Sequence, residues 1–469
     1  MLTQRLAEFV VGTRAGDIPA EVMHGARDAL IDTLGVALAG SLEDVGEIAL
    51  AYTGELGGKP EAHVWGTHFR TTSLDAAFVN GIFSHALDFD DTHPNVRGHP
   101  STTMVPVALA MAERTGATGE AVLAALAVGL EVGGKMGRAL GDGHYLRGWH
   151  STATTGVFAS TAVAARLLGF DADRLCQAFG IAASQAAGLL RNFGTMTKPF
   201  HAGHAARCAV QAALLARAGM TADAGIFDGK TSFLATYGGE DAQPLAGLLD
   251  QLAQPWEMIT PGNCVKRWPC CYCNHRSIGV LLQMIAQHGI RAGDVEAIEI
   301  GFPPGTDNAL VSSDPRTGLA GKFSIEYVAA ATVLDGKVGI DTFTDVMVNR
   351  PQVRALMQKV RRYRVEDDKV YSGSVGYNDV LVRTKQGEHS VRIDRTPGSA
   401  QWPITEADRD EKFLDCAGRV LGNVGARRVL ELAVRCAKLP DLRELAAAMV
   451  PDAAVRAGRS GAAAPLVSR

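Results

Sequence analysis

Net charge, cysteine and long apolar runs are all scarce in this chain of 469 residues. Its 46 lysines and arginines against 50 aspartates and glutamates leave a formal charge of −4. That balance excludes the basic footprint of a nucleic-acid or anionic-membrane binder. Apolar stretches such as 121–130 fall well short of the ~20 residues that span a bilayer, and Glu131 follows directly. Near the start, Leu2, Leu6, Phe9 and Val10 share one helical face, and Glu8 interrupts what a signal peptide would need as its apolar core. A mature cytoplasmic start is expected. Eight cysteines, three of them in Cys270-Cys271-Tyr272-Cys273, do not resemble the dense disulfide framework of a short secreted chain, so reduced thiols are expected. There is no fixed-period repeat.

Apolar residues, by contrast, are plentiful. A 47% hydrophobic and 20% charged composition with 52 glycines describes a compact chain and excludes disorder. The length exceeds the roughly 250–300 residues of a single core, so more than one domain is expected. Up to about residue 262 nearly every segment between breakers carries Ala and Leu at helical spacing. Helices are predicted over 19–31, 73–87 with Ser73 as N-cap, 104–114, 119–140, 151–168, 172–190 and 205–218. After Pro261 the texture changes. Strand spacing appears at 295–302, at 360–365, and in a hairpin of 379–384 with 389–394 turning through Gln386-Gly387. Helices are predicted between them at 324–334 and 351–359. The fold class is therefore mainly α: a large all-helical domain over 1–262, a smaller α+β lid domain over 263–400, and C-terminal helices at 401–469 packing back on the first domain. Within that last part, helical spacing returns at 412–421 and 426–449, and the tail 458–469 is expected to fray.

Chemistry concentrates in four places. The first is the stretch SHALDFDDTHPNVRGHP at 84–100, which crowds Asp88, Asp90, Asp91, His85, His93 and His99 onto a loop broken by Pro94, Gly98 and Pro100. Three readings are open: a set of solvated loop acids, a metal site, or acid–base chemistry in which a neutral imidazole moves a proton while an aspartate fixes its tautomer. Asp90-Asp91-Thr92-His93-Pro94 lacks the third acid of a DDxxD magnesium motif, which weakens the metal reading. The second is His150, beside Trp149 at the predicted start of a helix. It reads either as structural or as a neutral general base next to a bound carboxylate. The third is Lys198-Pro199-Phe200-His201-Ala202-Gly203-His204. His201 and His204 have metal-pair spacing but no third ligand at diagnostic distance, whereas Lys198 at a helix entrance suits a carboxylate clamp. The fourth is Cys264-Val265-Lys266-Arg267 with the cysteines that follow. Adjacent cysteines lack paired CxxC spacing, so zinc is disfavoured, and Lys266, Arg267 and Lys198 together supply charge for a small polyanion at a domain cleft.

In this order and spacing, SHALDFDDTH, GWHSTATTG, the Lys-Pro-Phe-His-Ala-Gly run, VKRWPCCYCNHR and FSIEYVAA resemble segments of the MmgE/PrpD family, which includes 2-methylcitrate dehydratases, cis-aconitate decarboxylases and iminodisuccinate epimerases. The resemblance implies a homodimer and chemistry with no metal or organic cofactor. It places catalytic residues at Asp88, His99, His150, Lys198, Lys266 and Tyr327. Substrate contacts are expected at Thr92, Lys198, Lys266 and Arg267. Tyr327 comes from the resemblance alone; its sequence context reads as core. Two departures stand out. Cys271 occupies the position where the decarboxylases carry a histidine, and the segment after Lys198 differs from the Pro-Ala-Glu stretch of the dehydratases. The expected function is a hydro-lyase acting on a small di- or tricarboxylate such as a 2-methylcitrate-like acid, with an epimerase of an iminodisuccinate-like dicarboxylate or a cis-aconitate-type decarboxylase as the alternatives. A catalytically silent carboxylate-binding protein is the alternative from another class.

Overall fold

The computed structural model describes residues 1–371 and 375–452, so the 458–469 tail lies outside the described residues. The molecule is mainly helical and carries one mixed four-stranded sheet in its second half. Helix Ala20–Gly40 enters through Pro19, as the sequence predicts, but continues past residue 31. Every residue from Ile31 to Gly40 is buried, so no polar face marks its continuation. Helix Ser73–Ala86 is capped by Thr72, whose hydroxyl accepts from the Asp75 N–H at 3.1 Å; the predicted cap, Ser73, instead donates its hydroxyl to Glu61. Helices Ser101–Thr115 and Gly119–Leu140 follow.

The helix predicted over 151–168 is interrupted, forming Ser151–Thr154 and then Gly156–Leu167. The Thr155 hydroxyl bonds back to the Ser151 carbonyl at 2.7 Å, and such back-bonding bends helices. Helix Ala172–Ala183 stops short of residue 190, and the chain then passes through Gly188 at φ 126°. The helix expected from 205 begins earlier, at Thr197, because Pro199 falls in its first turn, where no N–H is missed. Near the C-terminus, the two predicted segments are one helix, Glu406–Val434, kinked at Gly422 (φ 68°), followed by the short Arg443–Ala448.

A two-residue ladder joins β1 (Ala62–His63) to β2 (Arg70–Thr71). The larger sheet has the order β4-β3-β5-β6. β3 (Val295–Phe302) runs parallel to β4 (Val360–Arg364) and antiparallel to β5 (Asn378–Thr384), which forms a hairpin with β6 (Gly387–Ile393). Ile298, Ile300, Val380 and Val382 make its buried face, against helices His275–His288 and Ile325–Asp335. Two large apolar cores result, with a small third cluster of Val36, Ala39, Leu87, Phe89 and Cys416. The larger joins residues from Leu6 to Met258 with Phe413 to Met449, and the smaller joins Trp268 to Val382 with Phe193. Among the described residues no helix is long and apolar enough to cross a membrane.

Candidate active site

Two glycines set the site. A Cβ on Gly203 would stand 2.3 Å from the Phe78 carbonyl oxygen, and one on Gly81 would stand 2.8 Å from the Gly203 Cα. Helices Ser73–Ala86 and Thr197–Arg217 therefore cross in near backbone contact. The first delivers His85 and, just past its end, Asp88; the second carries Lys198 in its first turn and His201 one turn on. Asp88 reverses the chain with φ 51°, a left-handed conformation that Asp tolerates better than most residues. The loop that follows is not a surface loop. Asp88 through His93 are all buried, and Thr92 exchanges backbone hydrogen bonds with Cys264 at 2.9 and 2.7 Å. At its far end Gly98 lies against the Thr152 backbone, and the His99 N–H donates to Thr152 Oγ1 at 3.1 Å, which sets His99 beside His150.

Asp88 is the centre of charge. Its Oδ1 accepts from Lys198 Nζ at 2.7 Å and Lys266 Nζ at 2.6 Å, and Lys266 also donates to the Asp88 carbonyl at 2.7 Å. Burial alone would raise the Asp88 carboxyl, but the two ammonium groups overcome it and hold the group far below the usual carboxylate range. Lys266 is likewise held charged, with burial opposed by Asp88 and Asp90. The Lys198 ammonium also lies 4.9 Å from each of the Phe193 and Phe323 ring centroids.

Asp90, not Asp88, organises the imidazoles. His85 Nδ1 lies 2.9 Å from Asp90 Oδ1 and His99 Nδ1 lies 3.0 Å from Asp90 Oδ2. Burial works against the Asp90 charge, yet the two imidazoles hold it well below the ordinary range. An ionised carboxylate only accepts, so His85 presents Nδ1–H to it and keeps a lone pair on Nε2, while His99 Nδ1 stands close to the carboxylate without the alignment of a hydrogen bond. Burial depresses His99 to about 3, so it is neutral at physiological pH. His150 is paired differently, with Nδ1 3.0 Å from His201 Nδ1, so one of the two nitrogens donates and the other accepts. Burial and the neighbouring His201 push His150 well below its usual value, and burial pushes His201 to about 4. His150 Nε2 has no hydrogen-bond partner among the described residues.

These groups meet at one small cavity of about 50 Å³, with Asp88, Thr92, His99, His150, Lys198 and Cys271 in its wall. The rings of His99 and His150 are 6.5 Å apart. Other sequence expectations fall elsewhere. Lys266 is fully buried behind Asp88 and reaches the cavity only through that carboxylate. Arg267 has a half-exposed side chain, pairs with Asp408 at 3.4 Å and lines a separate groove. Tyr327 is core: its hydroxyl donates to the Thr342 carbonyl and its ring packs edge-on to Phe343. The possible metal pair separates, since His204 stacks on Phe200 while His201 faces His150.

Phe193 and Tyr145, not singled out from sequence, also line the cavity, together with Cys273 of the cysteine run. Phe193 meets the His150 ring edge-on at 4.8 Å. No local pattern marks Phe193 or Tyr145, because each arrives from a different segment. Ligand atoms of His85, Asp88, Asp90 and His99 lie within 4.8 Å of one another. A divalent cation there would face the two ammonium groups already bound to Asp88, so the donor set fits an anion better than a metal.

Comparison with known proteins finds relatives over most of the chain. Over 433 residues the chain is 29% identical to the cis-aconitate decarboxylase of Homo sapiens, covering 90% of this chain and 88% of that one. It is 28% identical over 442 residues to the cis-aconitate decarboxylase of Mus musculus, covering 90% and 87%. It is 27% identical over 367 residues to a 2-methylcitrate dehydratase of Cupriavidus necator, covering 71% and 72%. Residues 4–245 match the MmgE/PrpD N-terminal domain and residues 268–438 the MmgE/PrpD C-terminal domain, so Asp88, His99, His150 and Lys198 fall in the first match and Cys271 in the second. The chain belongs to the MmgE/PrpD family.

Proposed function

We propose that the protein is a lyase that eliminates water from a small di- or tricarboxylate. The observation that carries this is the Asp88–Lys198–Lys266 cluster, buried beside two neutral imidazoles that share one cavity. Elimination next to a carboxylate builds negative charge on carbon, and that charge needs a cation nearby and a base to take the proton. Lys198 is the cation on the cavity wall. One Lys198 N–H is held by Asp88, which leaves two to grip a substrate carboxylate. Lys266 keeps Asp88 ionised and fixed in its left-handed turn. His99 and His150, whose Nε2 is open, are the proton-transfer groups: one takes the proton from carbon as a neutral base, and the imidazolium it becomes passes that proton to the departing hydroxide, which leaves as water. Thr92 supplies a hydroxyl on the wall, and the reading invokes no metal or organic cofactor. The decarboxylases and the dehydratase among the relatives support a lyase acting on such acids.

The test is a panel of citrate, 2-methylcitrate, cis-aconitate and iminodisuccinate in deuterated water, following alkene formation, loss of carbon dioxide and deuterium uptake. Alkene formed from a hydroxy acid, with His150→Ala slowed at least about 100-fold, is the expected result. Wild-type turnover by His150→Ala would remove it from the acid–base pair. Two imidazoles on one cavity also favour a second reading, epimerisation, in which one takes a proton and the other returns it. Deuterium uptake with no change of composition would select that reading. We place the division of the chain at 262 and 400 and expect a homodimer, which light scattering on the full chain checks.

A further inference from the structure

The cavity has a second chemical identity that the proton-transfer groups do not use. Cys271 and Cys273 both lie in its wall, together with His150 and Lys198. Cys271 enters from the smaller core, and its N–H is anchored to the Lys322 carbonyl at 3.0 Å. The same wall holds His150, itself 1% exposed, whose Nε2 has no partner among the described residues and is left for a ligand. A nucleophilic sulfur, an anion-binding ammonium and an open imidazole therefore face one small space.

We propose that Cys271 is a covalent modification site for small electrophilic carboxylates. The inference rests on the reading that the cavity binds carboxylates, because Lys198 would seat the reagent's carboxylate while the sulfur meets its electrophilic carbon. With an α-halo acid, the Cys271 sulfur pair forms a C–S bond as the carbon–halogen bond breaks. Halide leaves with that bonding pair, and the thiol proton goes to water. The adduct fills the cavity and stops turnover.

Selectivity follows from the surroundings of each cysteine. The neighbouring Cys273 thiol favours the Cys271 thiolate, and Lys198 and Lys266 add to it against burial and Asp88. All seven other cysteines are pushed the other way. Burial raises Cys176, Cys208, Cys264, Cys270, Cys416 and Cys436, and Cys273 rises chiefly through its bond to Cys271. Thiolate is the reactive form, so reaction at one site of eight is expected.

The experiment treats the full-length protein with iodoacetate or with neutral iodoacetamide, with and without excess citrate, and maps the modified cysteine by peptide mass spectrometry. The expected result is a single carboxymethyl group on Cys271. It should form at least about 10-fold faster than the carbamidomethyl group, be slowed by citrate, and be absent from a folded Cys271→Ser variant. Cys271 left unmodified, or no more reactive than the other cysteines, overturns the proposal, and so do equal rates with the two reagents. Citrate binding measured by calorimetry separates the two readings. Binding without Cys271 alkylation defeats only the modification site. Alkylation that citrate neither slows nor competes with, in a protein that binds none of the four acids, defeats the carboxylate reading.

Discussion

At the scale of single residues, the most consequential contact is one carboxylate oxygen holding two ammonium groups. Asp88→Asn keeps a side chain that tolerates φ 51° but leaves Lys198 and Lys266 buried without a counter-charge. Breaking such a pair costs about 3–5 kcal/mol, so a marked fall in the urea midpoint is expected together with loss of turnover. Asp91 provides a pH signature. It accepts from the Ser101 N–H at 3.2 Å and from Asn263 Nδ2 at 2.8 Å, yet burial, with Asp32 and Asp90 nearby, raises its carboxyl from 3.8 to about 7. Between those values the folded state binds the extra proton. Its contribution to stability is thus fully present below pH 3.8 and lost as the pH rises to about 7. Buried histidines of lowered pKa, such as His99 and His201, give an opposite, rising slope over part of the same window, so the contribution of Asp91 is read as a difference: the stability of Asp91→Asn relative to wild type should rise across the window by up to about 1.4 kcal/mol per pH unit, as measured by denaturant titrations at successive pH values.

What sequence reveals at this scale is residue type, and what it hides is direction. The crowding of acids and imidazoles at 84–100 marked the site, and the lysines at 198 and 266 announced its charge. Which aspartate serves which partner was not legible, because Asp88 and Asp90 diverge only through the left-handed turn between helix and loop. His201 and His204 illustrate the same limit. Three residues along a helix turn the side chain by about 300°, enough to send one to His150 and the other to Phe200.

At the scale of elements, the glycine crossing of helices Ser73–Ala86 and Thr197–Arg217 keeps Asp88 and Lys198 in bonding distance. Gly203→Ala would set a methyl group against the Phe78 carbonyl and force the helices apart. A cost of about 1–3 kcal/mol is expected, with activity falling more than stability because Asp88 and Lys198 move with the two helices while His150 and Cys271 do not. Paired melting curves and turnover measurements check it. The strands and hairpin were legible because one sheet face is buried and the other is not. Helix ends such as Gly40 were not, since a helix buried on all sides shows no polar stripe from which to read its limits.

At the scale of the whole molecule, the cavity draws its wall from both cores: Asp88, His99, His150 and Lys198 come from one side, and Cys271, Cys273 and Ala309 from the other. Its 50 Å³ is room for the centres of water-sized spheres, enough for a few waters at roughly 10–15 Å³ each. Because that wall is drawn from both cores, admission and release are expected to part them, and such displacements push through solvent on microsecond to millisecond times. Turnover should then be paced by friction: kcat is expected to drop in proportion to the viscosity imposed by sucrose, while an inert polymer of equal bulk viscosity leaves it unchanged.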